Sequence, residues 1–270
     1  MRSGKLTKSE LAALSGVSRQ FLYYRHIQCE KDWNLKVKIE EVLHEYPSYG
    51  YRRVAKHLKM NRKPVQRVMK FFGLKAFRRR GGKPKKNNNK SAINYPNLLL
   101  QTMPVYPSHV WATDFTYLWF NDKFIYVCTV IDLFTRTVVG FSVSAKHDRW
   151  LVITAFLDAL RHNPRPEMLH SDHGKEYTSN DYDSTVTELG IARSMSRPGC
   201  PWENGYQEGF YSQFKIDLGD PNRFFSLGEL TAEIYRTVYV YNHTRIHSAF
   251  GTSPLQFAGQ FAGQHIFVYN

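Results

Sequence analysis

The sequence has few cysteines and lacks a long apolar run. Cys29, Cys128 and Cys200 stand far apart and form no CxxC pair, so neither a disulfide framework nor a cysteine-based zinc site is expected. No stretch of about 18 consecutive apolar residues occurs, and the first residues lack the apolar segment of a secretory signal. These absences predict a soluble, cytoplasmic chain that does not engage a membrane.

Acidic residues are scarce in the first part of the chain. Residues 1–100 hold 24 Lys and Arg but only 6 Asp and Glu, whereas residues 101–270 hold 13 and 17. A cationic segment joined to a slightly acidic one is typical of a polyanion-binding unit attached to a second domain. The length of 270 residues and the 42% hydrophobic content agree with two compact units.

Residues 1–30 have the pattern of a first helix-turn-helix. Thr7 and Glu10 stand at capping-box spacing, Gly16 interrupts the helix, and a second short helix is predicted through Phe21 and Leu22. Small helical hairpins without any nucleic-acid contact share this pattern, so both interpretations remain open at this point.

Residues 31–75 predict a second helix-turn-helix with a clearer signal. One helix ends at Pro47, another runs over residues 52–58, and a third extends from a cap at Asn61 to Gly73. Its outward face presents the predicted DNA-binding side chains Arg62, Lys63, Gln66, Arg67 and Lys70. The alternative is a charged, solvated helix face.

Residues 76–103 predict a basic linker. They combine few apolar side chains with glycine, asparagine and the arginines Arg78, Arg79 and Arg80. Such a segment can follow a DNA backbone through salt-dependent contacts, and it can also serve as a tether.

From Val110 onward the hydrophobic period changes to two. Three successive strands, ending with residues 137–143, precede a helix at 149–162, and alternating strands and helices follow to residue 218. The order β-β-β-α-β-α-β-α favours an α/β fold: a ribonuclease-H-like core with a mixed five-stranded sheet over residues 104–260, preceded by an all-α region. Residues 261–270 are predicted to be a C-terminal tail.

Three acidic residues are the candidate catalytic and metal-binding groups. Asp114 lies within a strand, Asp172 at the carboxyl end of another, and Glu208 in the first turns of a helix. If they converge, their oxygens form a hard-ligand site for Mg²⁺ or Mn²⁺. Scattered carboxylates are common, so spacing alone leaves the metal site unproved. His170 and His173 are interpreted as packing residues rather than zinc ligands.

The motifs of the chain resemble those of the orfB-type integrase-core transposases of the bacterial "insertion sequence three" group, which are related more distantly to retroviral integrases. The matching segments are WATDFTYL, VIDLFTRTVVGFSVS, HSDHGKEYTS, SMSRPGCPWENGYQEGFYSQFK and YNHTRIHSAFGTSPLQF, together with GYRRVAKHLKMNRKPVQRVMK. Asp172 and Glu208 are separated by 35 residues, the spacing of the DDE signature. Lys175 and Glu176 replace a more neutral pair and are expected to leave the three carboxylates untouched.

The resemblance implies a DDE transposase that cuts DNA at the 3′ ends of an insertion sequence and joins them to a target. Two Mg²⁺ or Mn²⁺ ions per active site would be held by Asp114, Asp172 and Glu208, with Asp114 bridging them. Lys215, two helical turns after Glu208, is a candidate phosphate contact. The late motif with Asn242 and Arg245 is expected to tie down the last helix.

The implied partners are double-stranded DNA of the element ends and target, further copies of the chain on that DNA, and an upstream-frame product carrying a helix-turn-helix and leucine zipper. The implied location is the bacterial cytoplasm, associated with the nucleoid. Two alternatives share many of these features: a non-catalytic DNA-binding regulator or inhibitor of transposition, and a ribonuclease-H-like nuclease that cuts but does not join.

Overall fold

A computed structural model describes residues 7–21, 27–78, 95–197 and 199–261. The basic segment contains the helices α1 (Lys8–Leu14), α2 (Ile27–Glu45), α3 (Tyr51–His57) and α4 (Arg62–Phe71). Thr7 and Glu10 form the predicted capping box at the start of α1. The short helix predicted through Phe21 and Leu22 falls partly outside the described residues. Helix α2 includes residue 30, so the boundary predicted between the first and second helix-turn-helix falls inside a helix.

Helices α2, α3 and α4 share one hydrophobic core. Asn61 caps α4 by accepting a hydrogen bond from the backbone N–H of Lys63. The apolar side chains of α4 that face this core are Val65, Val68 and Met69. The predicted helix and its cap are therefore confirmed, and the basic side chains of α4 lie on the opposite, exposed face.

The second part of the chain forms the predicted mixed sheet of five strands. They are β1 (Val110–Phe120), β2 (Lys123–Asp132), β3 (Val138–Ser144), β4 (Met168–Ser171) and β5 (Ala192–Met195), in the spatial order β3-β2-β1-β4-β5. The first three are antiparallel, whereas β4 and β5 run parallel to β1. This is the ribonuclease-H-like arrangement expected from the order of elements.

Helices cover both faces of the sheet. Helices α5 (Arg149–His162) and α6 (Asn180–Glu188) pack on one face, and α7 (Gly205–Leu218) and α8 (Leu227–His243) pack on the other. A short helix, α9 (Pro254–Ala258), follows. At Gly140 on β3, an added Cβ would lie 2.3 Å from the backbone nitrogen of Ala159, so glycine permits the close approach of α5. Within the described residues, no helix is long and apolar enough to cross a membrane.

The helical segment docks against the second domain. Val240 and Ile246, at the end of α8 and just after it, pack against the core of α2, α3 and α4. The Tyr46 hydroxyl donates to Thr244 Oγ1 at 3.1 Å, and the Ile246 N–H donates to the Tyr49 hydroxyl at 2.6 Å. These contacts join residues about 200 positions apart into one structure.

Candidate active site

The strand register brings Asp114 and Asp172 to the same level of the sheet. Ala112 of β1 pairs with His170 of β4, and each aspartate lies two residues beyond its member of that pair. Neighbouring strands lie about 4.8 Å apart, so the two aspartates lie close together on adjacent inner strands of the sheet. Asp172 follows the last residue of β4, as the sequence predicts for a ligand-binding position.

Buried hydrogen bonds fix Glu208 relative to Asp114. The Gln207 side-chain amide donates to the Ala112 carbonyl at 2.6 Å, and the Tyr211 hydroxyl donates to the Asp114 carbonyl at 2.6 Å. Both donors lie on α7, on either side of Glu208, whose own side chain is exposed. Gln207 and Tyr211 are therefore positioning residues that the sequence reasoning missed. Their only sequence signal is a pair of polar side chains that share a helix face with Phe210 and Phe214.

The three carboxylates influence one another electrostatically. Burial raises the pKa of Asp114 well above its ordinary value, and the negative charges of Asp172 and Glu208 raise it further. The Phe115 N–H, which donates to the Asp114 carboxylate at 2.8 Å, and the charge of Lys215 act in the opposite direction on the same pKa. The sequence therefore gathers negative charge at a partly buried position, where it is unfavourable without a compensating cation.

Asp172 has its own local environment. Burial raises its pKa, and the Gly174 N–H, which donates to Asp172 Oδ1 at 2.9 Å, lowers it. The charge of Glu176 raises the same pKa. Glu176 therefore contributes to the electrostatics of the site, and the expectation that this position leaves the three carboxylates untouched was wrong. His147 Nε2 lies 3.2 Å from the Glu176 carboxylate.

The donor chemistry of this site fits a hard divalent cation. Asp114, Asp172 and Glu208 offer only oxygen ligands, which Mg²⁺ and Mn²⁺ prefer. Burial and the charge of Asp172 raise the pKa of Asp114, so its ionised form is unfavourable without a compensating cation. Within the described residues, no three His, Cys, Asp or Glu side chains lie close enough together to form a ready-made metal cage. The exposed Glu208 side chain would have to turn toward the two aspartates to complete a ligand set.

The neighbouring titratable groups are poor candidates for chemistry. His170 is fully buried, its Nδ1 lies 2.9 Å from Ser194 Oγ, and burial lowers its pKa to about 4, so it is a neutral packing residue. Tyr177 is also fully buried, and burial raises the pKa of its hydroxyl well above the ordinary value. Neither side chain has the access or the ionisation state that a nucleophile or a zinc ligand at this site requires.

The predicted DNA-binding residues occupy two places. Arg62, Lys63, Gln66, Arg67 and Lys70 are all exposed on α4, as is Arg78 after it. Arg67 forms an ion pair with Asp32 of α2, so its guanidinium also ties two helices together. Lys215 lies near the carboxylates, with its ammonium 5.0 Å from the centre of the Tyr117 ring. Arg79 and Arg80 lie outside the described residues.

Residues of the late YNHTRIH motif fasten α8 to the sheet and also bind the helical segment. The Asn242 side chain bonds with both the N–H and the carbonyl of Val138, which ties α8 to the edge strand β3. Arg245 is 4% exposed and donates to Asp217 at 2.6 Å, to Ser48 at 2.6 Å and to Gln213 at 2.9 Å. Because Gln213 and Asp217 lie on α7 and Ser48 lies between α2 and α3, Arg245 links the helix of Glu208 to the helical segment.

Comparison with known proteins agrees with this architecture. The family described as "Integrase core domain" matches residues 104–201, and a second family of the same description matches residues 189–254. The transposase for insertion sequence element IS904 from Lactococcus lactis subsp. lactis (strain IL1403) is 35% identical over 224 residues, which cover 79% of this chain and 88% of the relative. The InsK protein for insertion sequence element IS150 from Escherichia coli (strain K12) is 30% identical, with 93% of each chain covered.

Transposase InsF for insertion sequence IS3A from Escherichia coli (strain K12) is 32% identical over 195 residues, covering 67% of this chain and 68% of the relative. Similar solved structures include the HTLV-2 integrase catalytic core domain in complex with magnesium, with 19% identity, a TM-score of 0.46, and coverage of 58% of this chain and 99% of that one. A simian T-cell lymphotropic virus intasome matches with 17% identity, a TM-score of 0.49, and coverage of 80% and 73%. On the family matches and the transposase relatives, the chain belongs to the integrase-core transposases of bacterial insertion sequences, in the IS3-type group.

Proposed function

We propose that the chain binds the ends of its insertion sequence and catalyses divalent-metal-dependent cleavage at the 3′ ends, followed by strand transfer into target DNA. The observation that carries this proposal is the geometry of the three acids: the strand register sets Asp114 and Asp172 at the same level of β1 and β4, and Gln207 and Tyr211 hold the helix of Glu208 against β1. A protein that only binds DNA has no use for two partly buried aspartates with a third carboxylate beside them.

Asp114, Asp172 and Glu208 would hold two Mg²⁺ or Mn²⁺ ions. Ions bound there supply activation of a water molecule and neutralise charge on the scissile phosphate. In the first reaction, the water oxygen bonds to phosphorus and the P–O3′ bond breaks, which releases a 3′-hydroxyl. In the second reaction that hydroxyl attacks a target phosphodiester, one new P–O bond forms, and one target P–O bond breaks.

The protein contributes position and charge to both reactions. Gln207 and Tyr211 keep α7 in fixed register with β1, so that Glu208 remains beside Asp114. Lys215, whose charge acts on Asp114, would offset the charge of a DNA phosphate bound at the site. The exposed basic face of α4 binds the element end in the same molecule, and further copies of the chain would assemble on that DNA.

The test is a cleavage assay on a labelled duplex that carries the terminal inverted repeat of the encoding element. With Mg²⁺, the wild type releases a 3′-hydroxyl end, and Asp114→Asn, Asp172→Asn and Glu208→Gln each abolish cleavage while DNA binding persists. Asp181→Asn is the matched control, because Asp181 is an exposed acid of α6 that pairs with Arg149. A variant of the trio that cuts as fast as the wild type would exclude that residue from the proposed metal site.

Adding a target duplex separates a transposase from a nuclease. The proposal predicts a joined product in which the new 3′ end is linked to target DNA, and the same three substitutions remove that product. Cleavage without joined product, under conditions where target DNA is bound, would identify the chain as a nuclease that cuts but does not join.

A further inference from the structure

A cluster of exposed aromatic side chains lies toward the turn between β1 and β2, beyond Asp114 along β1. Tyr117 and Trp119 on β1 and Phe124 on β2 are 57%, 48% and 44% exposed. Their rings contact one another edge to face, with centroids 5.2 Å apart for Tyr117 and Phe124 and 4.8 Å apart for Trp119 and Phe124. Large aromatic rings at the surface lose favourable burial, so an exposed cluster of them indicates a binding surface.

The cluster is held rigidly at the end of the β1–β2 hairpin. Asn121 and Asp122 form its tight turn, both with positive φ, at 45° and 60°. The Asn222 side chain accepts a hydrogen bond from the Asn121 N–H at 2.9 Å and donates to the Trp119 carbonyl at 3.3 Å. A ligand that binds this surface therefore meets rings that are already in place, at little cost in conformational entropy.

The aromatic cluster lines a groove between the two domains. The groove encloses about 650 Å³; Pro47 and Phe77 form its wall on the side of the helical segment, and Lys215 lies within it. The Lys215 ammonium lies 5.0 Å from the centre of the Tyr117 ring. Asp220 also lines the groove, and its carboxylate accepts a hydrogen bond from the Asn222 N–H at 3.0 Å. Aromatic faces next to a lysine are the combination that binds single-stranded nucleic acid.

The spacing along β1 gives the approximate distance between the aromatic cluster and Asp114. Tyr117 and Trp119 lie three and five residues beyond Asp114 on the same strand, which corresponds to roughly 10 and 17 Å at 3.3 Å per residue. Each DNA strand advances about 3.4 Å per stacked nucleotide. Along the strand, the cluster therefore lies about three to five nucleotides from a phosphate bound at Asp114. Because side chains alternate along a strand, Tyr117 and Trp119 leave the opposite face of β1 from Asp114, and Lys215 connects the groove to the site.

We propose that this groove binds unpaired nucleotides of the DNA strand adjacent to the scissile phosphate, with bases stacked on Trp119 and Tyr117 and a phosphate at Lys215. The occupant is single-stranded because the bases of an intact duplex keep their faces stacked on one another. This inference rests on the proposed function and adds that the DNA end is partly unpaired when it enters the active site.

The test compares binding of a blunt duplex with binding of the same duplex ending in a short unpaired oligothymidine tail. Binding is measured by fluorescence anisotropy in EDTA, so that no cleavage occurs. The wild type is expected to bind the tailed duplex at least about fivefold more tightly, since stacking contributes about 1–3 kcal/mol per base. Trp119→Ala is expected to remove that preference. Trp150→Ala is the matched control, because Trp150 is a tryptophan on α5 that is 56% exposed, against 48% for Trp119.

A second readout begins with the wild type, so its first result does not depend on a variant being folded. 2-Aminopurine placed in the tail is expected to lose fluorescence on binding to the wild type, because stacking on a ring quenches it, and to keep its fluorescence with Trp119→Ala. Equal wild-type affinity for blunt and tailed duplexes, or tail preference retained in Trp119→Ala, would overturn the inference. A change in oligomeric state of Trp119→Ala with unchanged tail preference would likewise overturn it and identify the cluster as a contact between copies.

These outcomes are separate from the outcome for the proposed function. Tail preference with no metal-dependent cleavage would leave the groove as a single-strand site and refute the catalytic proposal. Metal-dependent cleavage without tail preference would support the catalytic proposal and refute the single-strand site in the groove.

Discussion

Replacing Arg245 with methionine is expected to destabilise the protein strongly, because it breaks a buried ion pair with Asp217 of α7 and a hydrogen bond to Ser48 of the helical segment. The guanidinium is 4% exposed and donates to Asp217, Ser48 and Gln213 at 2.6, 2.6 and 2.9 Å. Without it, the Asp217 carboxylate, 12% exposed, keeps only the Ser48 hydroxyl, at 3.2 Å, among the hydrogen-bond partners that the described residues provide. Removing one partner of such a pair costs about 3–5 kcal/mol.

The assay is urea unfolding followed by circular dichroism. For an m-value of about 3 kcal/mol/M, a loss of about 3–5 kcal/mol lowers the midpoint by roughly 1.0–1.7 M. Arg236→Met is the matched control: Arg236 pairs with Glu233 at 2.6 Å, but its side chain is 57% exposed. An exposed pair of this kind contributes about 0–1 kcal/mol, so the midpoint of the control is expected to fall by no more than about 0.3 M.

A double variant tests the assigned cause. In Arg245→Met with Asp217→Leu, no unpaired charge is left buried, so the double variant is expected to be more stable than Arg245→Met alone. The reasoning is refuted if Arg245→Met unfolds at the same urea concentration as Arg236→Met, or if the second substitution adds its own full loss. Either result would mean that the buried pair contributes little to the stability of the folded chain.

Three further predictions concern other parts of the chain. Gly140→Ala is expected to cost about 1–3 kcal/mol in urea unfolding, because its Cβ would lie 2.3 Å from the backbone of α5, whereas Gly209→Ala, with no atom within 4 Å, is expected to be neutral or stabilising. Arg67→Ala is expected to weaken anisotropy-measured binding by about 1–3 kcal/mol on the element end and by less on random duplex. Asp114→Asn is expected to raise the free energy of unfolding in EDTA at neutral pH, because it removes an ionised group whose pKa is raised in the folded state. That gain should shrink as pH falls and the wild-type carboxylate protonates.

Each of these has a contradicting result. Equal stability of the two alanine variants would show that α5 can move away from β3 without cost. Equal loss of Arg67→Ala on element and random DNA would make Arg67 a phosphate contact. An Asp114→Asn variant less stable than the wild type in EDTA would show that the carboxylate has a structural role in the folded chain.

Local signals in the sequence carry much of the fold. The Asn61 cap and the turn after α4 at Gly73, with φ of 67°, define that helix, and the residues between them repeat at helical spacing. Asp172 is at the end of its strand and Glu208 in the first turn of its helix, as predicted. These features depend on neighbours along the chain, which a single sequence displays.

Contacts between remote segments were not predictable in the same way. The alternation of apolar and polar residues along β1 predicts two faces of the strand, but it does not predict which positions on each face are buried by other elements. Trp111 is fully buried, whereas Trp119, on the same side of the strand, is 48% exposed, because β4 pairs only with the first residues of β1. The link from Arg245 to Ser48 spans 197 positions and has no local signature. Sequence reasoning assigned Arg245 to the last helix and missed its role between domains.

The most direct test of the central claim is a crystal of the protein bound to its element-end DNA, soaked in Mn²⁺ and measured for anomalous scattering. The account predicts Mn²⁺ peaks at about 2.0–2.2 Å from carboxylate oxygens of Asp114 and of Asp172 or Glu208, with Glu208 turned toward the aspartates. Mn²⁺ bound elsewhere, with these three side chains free of metal at concentrations that support cleavage, would contradict it.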